Sequence, residues 1–246
     1  MKKYFSLFIL SITITLSAQV KMKPVEELIN TQEPGWELVS EWIGKARNSI
    51  EVLSVDMTKA KDALYKTQVT TRSPMGAIIY STGGILIDSG WIRILGSGSS
   101  KLNRSLPEWN KGKAFKDFGE DTPYLLIADD AVGGFFMLNG GGLGADAGKI
   151  YYFAPDSLEY EPLDLSYSDF LNFCFNGNIE AFYEGMRWKN WKEDASKLDG
   201  DKVFNFLPML WSKEGKDISK SSRRTVPIEE QYHLNLDFRK QSGLGE

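Results

Sequence analysis

Apolar residues recur at three- and four-residue steps near both ends of this chain and fall into short runs between glycines in its middle. Over residues 25–64, Val25, Leu28 and Ile29 share one helical face, and Trp36, Val39, Ile43 and Ala46 share another. Pro34-Gly35 divides two helices, while Ile50, Leu53, Met57, Ala60 and Leu64 continue the spacing, with Lys59, Lys61 and Asp62 on a solvated side. From Pro74 the texture changes. The runs 77–80 and 85–88 flank Ser81-Thr82-Gly83-Gly84, and 91–95 follows Ser89-Gly90, a strand-and-hairpin pattern. Further strands are expected at 124–127, 135–138 and 149–153, with 160–163 at an edge.

Helical periodicity returns at Ser168-Asp169-Phe170. Asn178 stands where a cap is needed for a helix carrying Ile179, Phe182, Tyr183 and Met186. The apolar block 203–211 is interrupted by Pro208, and Pro227 suits the first turn of a final amphipathic helix with Ile228, Tyr232, Leu236 and Phe238. Helices, then strands, then helices give the α+β class: a mostly antiparallel or mixed sheet of about six strands flanked by N- and C-terminal helices. No repeat or long low-complexity linker divides residues 19–246, which read as a single domain.

The first 18 residues follow another logic. Lys2 and Lys3 precede an uncharged apolar run over 4–16, which closes on Ser17-Ala18-Gln19, the pattern of a cleavable signal peptide cut after Ala18. The expected product is periplasmic or secreted, without a stable transmembrane anchor. Loss of the two lysines takes the net charge from −4 to about −6.

That acidity offers no net attraction for nucleic acid, and no nucleic-acid partner is expected. One histidine, His233, and one cysteine, Cys174, exclude an all-histidine zinc site, a CxxC pair and an internal disulfide. No metal and no cofactor are expected. Cys174 lies in the apolar stretch 170–175 and reads as a small buried hydrophobe. His233 lacks a G-x-S-x-G elbow or other catalytic companion and reads as a surface or core residue.

The most conspicuous candidate segment runs Ala128-Asp129-Asp130-Ala131-Val132-Gly133-Gly134. Adjacent side chains on a strand point to opposite faces, so Asp129 and Asp130 form an acid–base or cation pair only if a turn redirects one of them; capping the turn is the favoured role. Residues 140–144 share only glycine content with a phosphate loop. Residues 96–107, with Lys101 and Arg104, suit a flexible surface loop or an anion cradle. Phe182, Tyr183, Trp188 and Trp191, with Arg187, suit core packing at helical spacing or a partner-binding anchor.

Several stretches resemble a known family: Leu95-Gly96-Ser97-Gly98, Arg104-Ser105-Leu106-Pro107-Glu108-Trp109-Asn110, Asp129 to Phe136, Tyr152-Phe153-Ala154-Pro155-Asp156, and Phe182-Tyr183-Glu184-Gly185-Met186-Arg187-Trp188. Together they resemble the bacterial domain of unknown function 2625. More distantly, the Asp-rich glycine turn, the hairpin through Gly148-Lys149-Ile150-Tyr151-Tyr152 and the helix start Tyr167-Ser168-Asp169-Phe170-Leu171 are similar to the SUKH superfamily. That superfamily includes immunity proteins that neutralise bacterial toxins, and yeast cell-wall regulators. The resemblance implies a SUKH-like sheet serving as a protein-binding surface. The expectation is therefore a non-enzymatic domain for a protein partner of unidentified kind, with the relation to immunity proteins that the resemblance implies, using Asp129, Asp130, Gly133, Gly134, Arg104, Trp109, Arg187 and Trp188. The alternative is a carboxylate-dependent envelope hydrolase or carbohydrate-active protein.

Overall fold

Residues 21–244 are described by a computed structural model; the segment read as a signal peptide lies outside them. In chain order the elements are α1 (Val25–Leu28), α2 (Gly35–Gly44), β1 (Ile50–Val52), α3 (Met57–Thr67), α4 (Pro74–Ser81), β2 (Gly84–Ile87) and β3 (Ile92–Leu95). There follow α5 (Leu106–Asn110), β4 (Tyr124–Asp130), β5 (Phe135–Asn139), β6 (Ile150–Phe153), β7 (Tyr160–Pro162), α6 (Tyr167–Asn176) and α7 (Ile179–Phe182). The chain ends in α8 (Trp191–Lys197), β8 (Lys202–Leu207), β9 (Ser222–Pro227) and α9 (Ile228–Gln241). The class is α+β, as the alternating textures of the sequence require.

Strands β1 to β7 form an antiparallel meander in sequence order, and β8 pairs with β9 in a separate two-stranded sheet. Register aligns one cross-sheet row, Glu51, Leu86, Arg93, Asp129, Phe135, Phe153 and Tyr160. Ile87, Ile92 and Asp130 align on the opposite face. On the first face, Trp109 of α5 and Tyr232 of α9 pack on Phe135, with ring centroids 6.4 and 5.0 Å away. On the second, Phe170 of α6 lies 4.8 Å from Phe136.

Three local expectations need correction. Residues 77–80 form a helix: Ser73 accepts the Gly76 N–H at its N-cap, and Pro74 sits in its first turn. Ala77, Ile78 and Ile79 are all buried, so helix α4 carries no polar face and reads like a buried strand. Residues 50–52 are a strand paired with β2. Asp56 then caps α3 by accepting the Thr58 and Lys59 N–H groups, so the apolar spacing ran across a real break. Residues 96–99 are buried, with Ser97 and Gly98 donating backbone N–H groups to Thr82 and Gly83. The expected flexible loop is thus anchored at its start. Strand β9, with four successive exposed residues, has no alternation by which to find it, and Pro227 ends that strand immediately before α9.

Candidate functional site

Strand alternation separates the two aspartates. Asp129, fully buried, accepts hydrogen bonds from Arg93 Nε at 2.5 Å on Oδ1 and from Arg104 Nη1 at 2.7 Å on Oδ2. Arg93, only 2% exposed, also donates to the carbonyls of Lys202 (2.6 Å) and Asp130 (3.0 Å). Arg104 reaches Asp201 Oδ1 at 2.9 Å and the Gly200 carbonyl at 2.8 Å, and its guanidinium lies 4.6 Å from the Trp109 ring. Burial lowers the Arg93 pKa, and the Asp129 charge beside it opposes that shift. Two arginines and the carboxylates of Asp129 and Asp201 form a charge-balanced frame, the condition for ions to persist in an interior.

Asp130, on the other face, organises the β4–β5 turn. Its Oδ1 accepts the N–H groups of Val132 and Gly134 at 3.0 and 2.9 Å. Its Oδ2 accepts the hydroxyls of Tyr152 and Tyr183 at 2.6 and 3.0 Å. Burial holds the Asp130 pKa above the ordinary carboxylate value, and these four donors pull against it. Burial likewise raises both phenols, which stay protonated as donors. Glycine at 134 is a steric need, since a Cβ there would lie 2.1 Å from the Tyr152 hydroxyl. Gly133 has φ +87°, and a Cβ there would lie 2.7 Å from Gln231 Cγ. Its carbonyl accepts the Asn235 side-chain N–H at 2.9 Å.

Arg187 and Trp188 belong to a third group. The Arg187 guanidinium sits 3.7 Å from the Trp191 ring and 4.8 Å from Trp91, and pairs with Asp88 at 2.9 Å and Glu180 at 2.6 Å. Trp188 Nε1 donates to Asp194 at 2.6 Å. The eight residues singled out from sequence therefore fall into three separate groups, and all but the partly exposed Arg104 and Arg187 are buried. They frame the fold and do not line one open face. His233 is exposed on α9 beside Glu229, and burial raises the Cys174 thiol pKa, which keeps it in the unreactive thiol form. Residues 140–144 wrap around Asn139, whose Oδ1 accepts the Gly141 and Leu143 N–H groups.

One of several concave sites lies at the end of the cross-sheet row that the helices leave uncovered. A cleft of about 450 Å³ has Glu51, Leu86 and Arg93 as its floor. Ser100 and Lys101 form one wall, and Ala195, Ser196 and Leu198 with Asp199 and Gly200 form the other. Lys101 pairs with Glu51 across the floor. At the rim, Asp88 and Ser89 take left-handed conformations with φ of 51° and 64°, a cost that non-glycine residues bear only when held in place. Here the Asp88 N–H donates to the Ser49 carbonyl at 2.8 Å, and its carboxylate is fixed by Arg187. The aromatic group thus sets the rim, and the ionic frame sets the floor. Of the residues that build this cleft, Arg93 carried a readable signal: a charge inside the apolar strand Ile92-Arg93-Ile94 needs a buried counter-ion. Among the described residues no cluster of three or more His, Cys, Asp or Glu is arranged to hold a metal.

Residues 25–231 match the family described as "Protein of unknown function DUF2625", a span that includes the whole ionic frame and the whole cleft. The chain belongs to the DUF2625 family. An "Uncharacterized protein" of Haemophilus influenzae is 47% identical over 215 residues, covering 87% of this chain and 94% of its own. The "Putative uncharacterized protein YbfG" of Escherichia coli K12 is 40% identical over 221 residues, covering 89% and 98%. Both relatives match this DUF2625 chain over nearly their full lengths.

Proposed function

We propose that this DUF2625 protein is a non-enzymatic protein-binding domain working in the bacterial envelope or outside the cell, with the sheet-floored cleft as its contact site. One observation carries the reading: the β1–β3 end of the sheet is open, and half-buried Leu86 lies on its floor between the charged Glu51 and Arg93. An apolar centre with a polar, hydroxyl-bearing rim is the anatomy of a protein contact. The adjoining edge also exposes Val52 at 39%, Val55 at 36% and Met57 at 44%. The resemblance to SUKH proteins points the same way, and the envelope setting rests on Lys2, Lys3 and the apolar run that follows. A carboxylate-dependent hydrolase needs two acids facing one cleft. Asp129 and Asp130 face opposite sides of the sheet with every oxygen bonded to donors, so this pair gives that alternative no support.

The test is affinity capture from an envelope extract of the native host, using the wild type, Leu86→Lys, Ser100→Trp and the remote surface variant Glu26→Lys. A specific partner should be lost with both cleft variants and kept with Glu26→Lys. Equal capture by all four proteins would overturn the assignment of the cleft.

A further inference from the structure

The two-stranded sheet has an open side. The Phe204 N–H of β8 donates at 2.8 Å to the Ala131 carbonyl, and the Lys202 carbonyl accepts from Arg93, so both groups point away from β9. In an antiparallel ladder the N–H and C=O of one residue share a side, and the side alternates along the strand. Phe204 faces Thr225 and Phe206 faces Arg223 in the register. The N–H and C=O groups of Thr225 and Arg223 therefore point outward from β9, where no backbone partner meets them among the described residues. Ser222, Arg223, Arg224 and Thr225 are all exposed.

Shallow clefts of about 400 and 300 Å³ flank this edge. Lys197, Lys202, Arg223 and Arg224 border the first and outnumber its two acids, Asp194 and Asp199; Asn205, Leu207, Ser222, Arg223 and Arg224 border the second. The local charge is reversed relative to the whole chain. Arg223 is held by Asp194 at 3.2 Å and lies 4.2 Å from the Trp188 ring, whereas the Arg224 and Lys202 side chains have no ionic partner among the described residues. Leu207 beside them is 67% exposed.

We infer that β9 is a docking edge for an extended acidic segment of a partner protein, which adds to the β8–β9 sheet as a third strand. Main-chain bonds from Arg223 and Thr225 supply the pairing, and alternate side chains of the incoming strand enter the two flanking clefts. The cationic side chains on both faces select acidic residues there. This surface adjoins the β1–β3 cleft, with Leu198 and Asp199 lining both, but its variants leave the floor residues Glu51, Leu86 and Arg93 in place. Charges on an edge strand also serve simply to prevent pairing, and the experiment separates the two roles.

The probe is a peptide of alternating threonine and glutamate, with its threonine–lysine counterpart and anionic phospholipid vesicles as comparisons. Residue-resolved amide exchange of the purified protein is the readout. The acidic peptide should slow exchange at Arg223 and Thr225, while the Arg224 and Val226 amides, already paired with β8, report that the sheet is intact. Lys202→Glu with Arg224→Glu should weaken acidic-peptide binding by roughly tenfold or more and shift preference to the lysine peptide. Thr225→Pro removes an outward N–H without touching the ladder to β8, and should abolish the response. Unchanged exchange at Arg223 and Thr225 with saturating acidic peptide would overturn the inference. So would equal slowing by the lysine peptide or by the vesicles.

Discussion

Asp129 and Asp130 are neighbours with different work because the pleat of β4 sends one to two arginines and the other to two tyrosines. Removing Asp129 leaves buried Arg93 without a paired carboxylate and close to Arg104, which keeps Asp201. Asp129→Ala should therefore cost about 3–5 kcal/mol of unfolding free energy. Gly134→Ala, which drives a methyl group against Tyr152 and Asp130, should cost about 1–3 kcal/mol. A methyl group at position 44 would meet nothing within 4 Å, so Gly44→Ala serves as the control that keeps or raises stability. Urea denaturation of the three variants checks the order. The turn role of Asp130 was legible in the sequence, because an aspartate followed by paired glycines has few other uses. The ion pair was not, because joining Arg93 to Asp129 requires the β3–β4 register, which local pattern does not encode.

Helix α6 could be read from its one-sided spacing, and β4, β5 and β6, buried on both faces, from short apolar runs bounded by turn residues. The β4–β5 hairpin, β6, and helix α6 with its Ser166–Asp169 capping box follow the expected pattern. Helix α4 failed because all-round burial erases amphipathicity, and β9 failed for the opposite reason, exposure along most of its length. The cleft was illegible for a third reason. Glu51 and Leu86 are ordinary residues singly, Arg93 signals only a buried counter-ion, and the three become a floor only when three strands align them. The polar chain joining the β8–β9 sheet to the main sheet is similarly tertiary: Asn205 donates to Gln231, Gln231 to Asn235, and Asn235 to the Gly133 carbonyl, at 2.8, 2.7 and 2.9 Å. Asn235→Ala leaves a buried carbonyl and a buried amide without partners. It should cost about 1–3 kcal/mol, and amide exchange should show β8 loosening before β4 does.

At the scale of the whole molecule, no described helix is long and apolar enough to cross a membrane. Acid response follows from the carboxylates that the fold stabilises in their charged form. The Ser166 hydroxyl and backbone hold the Asp169 pKa down, and the Tyr151 hydroxyl does the same for Asp146. Because their folded values lie below their unfolded ones, their contribution is full above about pH 4 and is lost as pH falls through the folded values. Asp130 has the opposite sign: its raised folded value makes protonation favour the folded state as pH falls toward the same point. Thermal melts between neutral and acid pH should show stability falling below about pH 4. The double variant Asp146→Asn/Asp169→Asn should be less stable at neutral pH and should decline less steeply on acidification.

The ionic frame and the aromatic group together support an open stretch of sheet, the stretch proposed above to meet another protein. The most direct measurement is photo-cross-linking in living cells of the native host from a photoreactive residue placed at Ser100 on the cleft wall, with Glu26 as the remote position. A discrete cross-linked protein is expected from position 100, absent from position 26 and lost when Leu86→Lys is added. The absence of any cross-link specific to position 100, or one that persists undiminished with Leu86→Lys, would contradict it.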